Sequence, residues 1–353
     1  MSDINLLSPG RIGSLAVPNR LVMAPMTRSR AGAGGVPSEL SIEYYAQRAS
    51  AGLILTEGTA PSAQGLGYAR TPAIDTAEQI AAWKKITDAV KAKGGHMFMQ
   101  LMHVGRIGNQ HNRYTDKPLV SASAIKAAGQ IWTDAAQLQD HPVPHALGTN
   151  EIAGVIAEYA QATKNALAAG FDGVELHSAS GYLPMQFLSS GTNQRTDGYG
   201  GSASNRIRFV VEALEAMIAA AGSADKVGIK ISPGMPFNDC TDADPKETYT
   251  TLVPAIANKG LAYLHVLQTA LPGVFELLRP HYQGTFAIGG AQTLESGNAA
   301  LKSGLADFVV YGKSFLANPD LPARFAKGAT LNAFDTTTFY SPGAKGYTDY
   351  PTL

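Results

Sequence analysis

Short apolar runs recur along the chain, and most are followed by a stretch whose apolar residues return at helical spacing. Leu21–Met26 (LVMAPM) reads as a first buried strand and Leu40–Ala49 as a helix. Gly52–Glu57 is a second strand. The helix expected from about Ala77 to Lys93 opens on Thr76 as N-cap, with Gln79 in the capping-box position. His96–His103 is a third strand. Helix Glu151–Ala169 leads into strand Gly173–His177, and a helix near Asn205–Ala221 precedes strand Val227–Ser232. Asp244 as N-cap, Pro245 in the first helical position and Glu247 two residues on announce another helix. Strand Ala262–Leu267, a short helix near Val274–His281, strand Thr285–Ile288, a helix near Leu294–Ser303 and strand Phe308–Tyr311 complete the series.

Strands that are apolar throughout are strands buried on both faces, which requires parallel pairing with helical crossovers. Eight such units without a composition shift predict a single (β/α)8 TIM barrel over residues 1–353. A doubly wound open sheet fits less well, because no boundary divides the units. Between the third strand and the next helix, residues 104–149 carry scattered Pro, Gly, Asn and Asp without a period. So long a connection is expected to be a lid over the active face. The alternation at Leu119–Ser123 marks a short hairpin in it.

Charge and composition narrow the function classes. Lys plus Arg and Asp plus Glu both total 28, so neither a nucleic-acid face nor an acidic tail is expected. Cys240 is the one cysteine, which excludes an internal disulfide and a cysteine-rich metal site. The first residues lack the basic-then-apolar order of a secretory signal, and no run approaches the roughly 18 apolar residues of a membrane helix. The expectation is a cytoplasmic protein with no membrane partner, monomeric or homodimeric. Three familiar motifs fail. Gly32-Ala33-Gly34-Gly35 follows a strand but does not complete the dinucleotide fingerprint, and Gly312-Lys313-Ser314 would need its first P-loop glycine at Asp307. His141 and His145 are spaced like zinc ligands but lie among prolines with no cysteine partner, so no metal is expected.

The stretch Gly173–Gly201 carries the densest chemistry. A strand breaks at Ser178–Gly181 and presents His177, Ser180 and Tyr182 within six positions. Polar groups at the carboxyl ends of barrel strands are where such a fold meets its substrate. If Gln100 of the third strand, His177 and Lys230 face the barrel axis near the top, Glu175 lies one layer lower and is able to pair with Lys230. The alternative is that these are satisfied core polars. Gly289-Gly290-Ala291 after the seventh strand and Gly312-Lys313 after the eighth supply close backbone approach and a cation, which together favour a phosphorylated cofactor or substrate. Gln100 and Lys230 would then hold the body of a flavin.

The chain resembles the Old Yellow Enzyme family of FMN-dependent ene-reductases, particularly its N-ethylmaleimide and pentaerythritol-tetranitrate reductase branch. The likeness runs through Pro18-Asn19-Arg20, Ala24-Pro25-Met26-Thr27-Arg28, Glu43-Tyr44-Tyr45-Ala46-Gln47-Arg48-Ala49, Arg195-Thr196-Asp197, Tyr199-Gly200-Gly201-Ser202, Ala317-Asn318-Pro319-Asp320-Leu321 and the closing GYTDYPTL. The resemblance implies non-covalent FMN lined by Pro25, Met26 and Thr27. It puts Gly58 and Gln100 at the pyrimidine part of the ring, Lys230 beside its N1 and O2, and Gly290, Ala291, Gly312 and Lys313 at the phosphate. It implies that His177 and Ser180 polarise a substrate oxygen, that Tyr182 protonates carbon, and that Tyr68, Met102 and Tyr340 shape the pocket. NADH or NADPH would reduce the flavin, and an activated alkene (an unsaturated carbonyl, imide or nitro compound) would take the electrons at the same site. Four positions depart from the family: Ser180 replaces the usual His or Asn, Lys230 and Lys313 replace arginines, and Met102 replaces a tryptophan. The segment between Asp239 and Thr285 is also shorter. Two alternatives accompany this reading, a flavin-binding relative with little turnover and another FMN barrel oxidoreductase. The phenol of Tyr182 argues against the second, whose chemistry wants a base.

Overall fold

The computed structural model describes residues 4–353. Eight parallel strands close into a barrel: β1 (Leu21–Met23), β2 (Leu53–Leu55), β3 (Met97–Leu101), β4 (Gly173–Ser178), β5 (Val227–Ile231), β6 (Tyr263–Leu267), β7 (Phe286–Gly289) and β8 (Phe308–Tyr311). Each is hydrogen-bonded to the next, and β8 returns to β1. The expected strands are all present. Most are shorter than their apolar runs, because residues such as Ala24–Met26 and Thr56–Glu57 lie beyond the ladder, in the loops above it.

Alternating side chains divide the core in two. Outward residues such as Met99, Leu176 and Ile229 meet the helices. Inward residues, among them Val22, Leu53, Leu55, Phe98, Tyr263 and Phe308, fill the lower barrel. A hairpin, Gly10–Ile12 with Leu15–Val17, covers that lower end and adds Ile12 and Val17 to its packing. Two glycines are required here. A Cβ on Gly228 would sit 2.4 Å from the Tyr263 ring, and one on Gly173 would sit 2.5 Å from the Phe98 ring. The rings that fill the barrel therefore depend on strand positions with no side chain.

The caps lie where the sequence puts them. Thr76 and Gln79 form a reciprocal capping box for helix Ala77–Lys91, and Asp244 accepts from the Glu247 amide at the start of helix Pro245–Ala257. The helix expected at 205–221 is split into Ala203–Arg206 and Arg208–Ala221. At the split, the buried Arg206 guanidinium donates to Leu188 O and Thr248 Oγ1.

The excursion after β3 corrects one expectation. Val120–Ser121 is no hairpin; it pairs in parallel with His145–Ala146. The hairpin lies further on, as Gln130–Thr133 against Gln137–Asp140. His145 bonds the Glu151 carboxylate, while His141 Nδ1 lies against the Gly108 backbone. No helix among the described residues is long and apolar enough to cross a membrane.

Two buried arginines tie the loop after β1 to residues 338–346 above the barrel. Arg28 donates to Phe339 O and Gly346 O, and Arg30 to Thr338 O, Gly343 O and Lys345 O. The carboxylate nearest them is Glu57, which accepts from the Arg28 amide. Burial pushes the Glu57 carboxyl up to about 7 despite that help.

Candidate functional site

The upper barrel is polar where the lower is apolar. Register brings Glu175 opposite Gln100, His177 opposite Lys230, and Lys230 opposite His265. The expected Glu175–Lys230 pair is not formed. Glu175 Oε1 instead accepts from Gln100 Nε2 at 2.7 Å, and Oε2 lies 3.1 Å from His265 Nδ1. These two neighbours occupy both carboxylate oxygens. Lys230 is left without a hydrogen bond or ion pair among the described residues, and burial lowers its pKa while Glu175 offsets part of that. His265 was not anticipated; in YLHVL it reads as one more core position, although its register opposite Lys230 turns it inward.

Above this layer, His177 is buried and its Nδ1 has no partner among the described residues. Burial, with Lys230 and His265 nearby, holds its pKa well below the usual value, so the imidazole is neutral. The Tyr182 ring stands edge-on to it, with centroids 4.9 Å apart. The Tyr182 hydroxyl donates to Tyr68 Oη at 3.2 Å, and burial raises both phenols, keeping Tyr182 protonated. Ser180 is held in the left-handed region at φ 56°, its amide on Ser232 Oγ and its carbonyl accepting from Asn238 Nδ2. That conformation is uncommon for a residue with a side chain.

Tyr182 lines a cavity of about 740 Å³ at the barrel mouth, whereas His177 and Ser180 are not among its walls. Tyr68 and Tyr340, which the resemblance put at a pocket, line it; so do Thr27, which it put at the flavin, and Trp132 of the hairpin, Phe237 after β5 and Arg70, which it did not name. Loop residues carry no period, so only the density of polar and aromatic residues there could have marked them. Met102 is not on the cavity wall. It is buried with Val104, Ile107, Leu119 and Tyr182, and a Cβ on Gly58 would lie 2.5 Å from its sulfur.

The residues assigned to a flavin lie on the same end of the barrel. Ala24–Thr27 are partly exposed directly above the buried β1. Gly312 faces them, since a Cβ there would meet Met26 Sδ at 3.7 Å. Gly290 (φ 133°), Ala291 and Lys313 are exposed at the ends of β7 and β8, with Lys313 Nζ 5.1 Å from the Phe334 ring centre. An unpartnered buried ammonium, unpartnered imidazole nitrogens on His177 and His265, and open glycine turns make a set that fits an anionic, hydrogen-bonding planar cofactor.

Residues 5–332 match the model of the NADH:flavin oxidoreductase / NADH oxidase family. A probable flavin mononucleotide-dependent alkene reductase of Leishmania infantum is 41% identical, over 98% of this chain and 97% of its own. Among solved structures, the old yellow enzyme homologue from Zymomonas mobilis superposes with a TM-score of 0.96 at 37% identity, over 99% of this chain and 100% of that one. Morphinone reductase in complex with tetrahydroNAD gives 0.94 at 42% identity, over 99% and 98%. The chain belongs to the NADH:flavin oxidoreductase / NADH oxidase family and is an oxidoreductase of the Old Yellow Enzyme type, with FMN as its cofactor and a nicotinamide as its reductant.

Proposed function

We propose that this flavin oxidoreductase reduces activated C=C bonds of unsaturated carbonyls, imides and nitro compounds, with NADH or NADPH and the alkene using the cavity above Tyr182 in turn. The chemistry FMN supplies when bound is hydride carriage between the nicotinamide and the alkene. Pro25, Met26 and Thr27 would line it, Gly58 and Gln100 would meet its pyrimidine edge, and Lys230 would stabilise its negative charge. Gly290, Ala291, Gly312 and Lys313 would hold its phosphate. Residues 104–149, within one flavin-binding unit, would cover the cavity.

The chain's own part is binding and proton transfer. His177, neutral, donates an N–H to the activating oxygen of the substrate, with Ser180 as its second donor. Donors aimed where charge develops favour the transition state over the ground state. Tyr182 gives its proton to the carbon beside that activating group. Its raised pKa keeps the proton available at neutral pH.

The observation that carries this reading is a protonated phenol that lines a cavity of substrate size and packs edge-on against a buried imidazole, one nitrogen of which is unpartnered among the described residues. Tyr182→Phe should slow alkene reduction by roughly 10²–10⁴-fold while NADPH bleaches the flavin at its former rate. Equal loss in both half-reactions, measured by rapid mixing, would remove Tyr182 from this role.

A further inference from the structure

A second cavity, of about 410 Å³, lies beside the first and shares Tyr68, Ala69, Arg70 and Asp134 with it. Its walls include the Ala31–Gly35 turn, His111 and Arg113. The glycine-rich turn matched no fingerprint in the sequence. Here it forms a tight wall with Gly34 and Gly35 at positive φ, and the Ala31 amide fixes it to Arg70 O. Two arginines, Arg70 and Arg113, line a cavity with one carboxylate, Asp134, which is already paired with Arg70. Arg113 has no carboxylate partner among the described residues; its donors go to Lys117 O, Gln64 O and the Gln110 amide, and its buried Nε has no acceptor. Burial lowers its pKa, so the charge is held at a cost that an anion would relieve.

We propose that this second cavity takes the diphosphate-bearing part of the nicotinamide cosubstrate. Resting on the reading above, the assignment places the nicotinamide ring in the cavity over Tyr182 and runs the dinucleotide past Tyr68 and Arg70 toward Arg113. Arg70 is fixed for that task. Its Nε donates to Ser29 O and its Nη2 to Tyr340 O, so the guanidinium bridges two walls at the junction of the cavities. Asp134 neutralises Arg70 until a phosphate oxygen replaces it. The alkene substrate, which has no phosphate, needs the first cavity only. This gives the two substrates one shared chemical end and one private extension.

The test separates phosphate recognition from ring recognition. Calorimetric titration with the hydride-inert tetrahydro forms of NAD and NADP gives their Kd values on the FMN-loaded protein. Arg113→Met should raise both by roughly tenfold. The rate of flavin bleaching by 1-benzyl-1,4-dihydronicotinamide, which has no phosphate, should stay unchanged in the same variant. Asp134→Asn should tighten both dinucleotides by freeing Arg70, whereas a residue that only braces the rim would give weaker binding or none. Unchanged Kd values in Arg113→Met, or equal loss with the phosphate-free donor, would overturn the assignment. A wild-type flavin that no dihydronicotinamide bleaches would instead overturn the reading of the reaction, and the titration would still report on the cavity.

Discussion

The two ends of this barrel are built on opposite terms. At the lower end, Phe98, Tyr263 and Phe308 fill the space between strands, two glycines make room for the rings, and a hairpin covers them. At the upper end, among the described residues, Lys230 has no bonded partner and His177 and His265 each keep an unpartnered nitrogen, while Ser180 holds a left-handed backbone. Buried polar groups without partners are destabilising, on the order of 1–3 kcal/mol each. The difference teaches that the apolar end stabilises the fold, and the polar end is left incomplete for a cofactor and substrates to finish.

This contrast can be broken in three places. Phe98→Ala should have the largest effect, costing about 3–5 kcal/mol of stability while FMN affinity in the folded protein holds. A denaturant titration and a flavin titration read the two quantities, and loss of FMN affinity without loss of stability would erase the distinction.

Glu57 gives the next largest. Its folded pKa of about 7 lies above the ordinary 4.5, so the folded state binds the extra proton. Stability is therefore full below the ordinary value and falls as pH rises through the folded one, by a total on the order of 3 kcal/mol. Melting temperature against pH should show that decline in the parent and not in Glu57→Gln. A parallel decline in both would assign it to another group.

Lys230→Met should have the smallest effect on the fold and a clear one on the cofactor. The Kd for FMN should rise by roughly one decade, and the apoprotein should melt no lower, because a desolvated cation has been removed. A lower apoprotein melting temperature with unchanged FMN affinity would make Lys230 part of the scaffold.

How much of this was legible in the sequence follows the same division. The barrel could be read because strands buried on both faces are apolar throughout, and because Thr76 and Asp244 announce their helices. His177 and Tyr182 could be read because one strand end carries both. Glu175 was matched to the wrong partner. Parity says that it points inward, but which donors reach it depends on β3 and β6, which lie far away in sequence. Arg70 and Phe237 reach the cavity from irregular segments, where position is set by backbone turns and not by a repeat, and Trp132 reaches it from the unforeseen hairpin. The hairpin at Gln130–Asp140 escaped notice because three of the four residues in its second strand are exposed and it lacks a sustained apolar alternation.

The grip of Arg28 and Arg30 on Thr338–Gly346 has a consequence for how the enzyme matures. Tyr340, Ser341 and Pro342 are a wall of the cavity, yet they are translated long after the arginines that anchor them. While the ribosome still shields that stretch, the nascent protein holds a nearly finished barrel with one side of its reaction chamber missing. The chamber is thus walled in only after that stretch has emerged, and removing the segment would leave an open basin in its place.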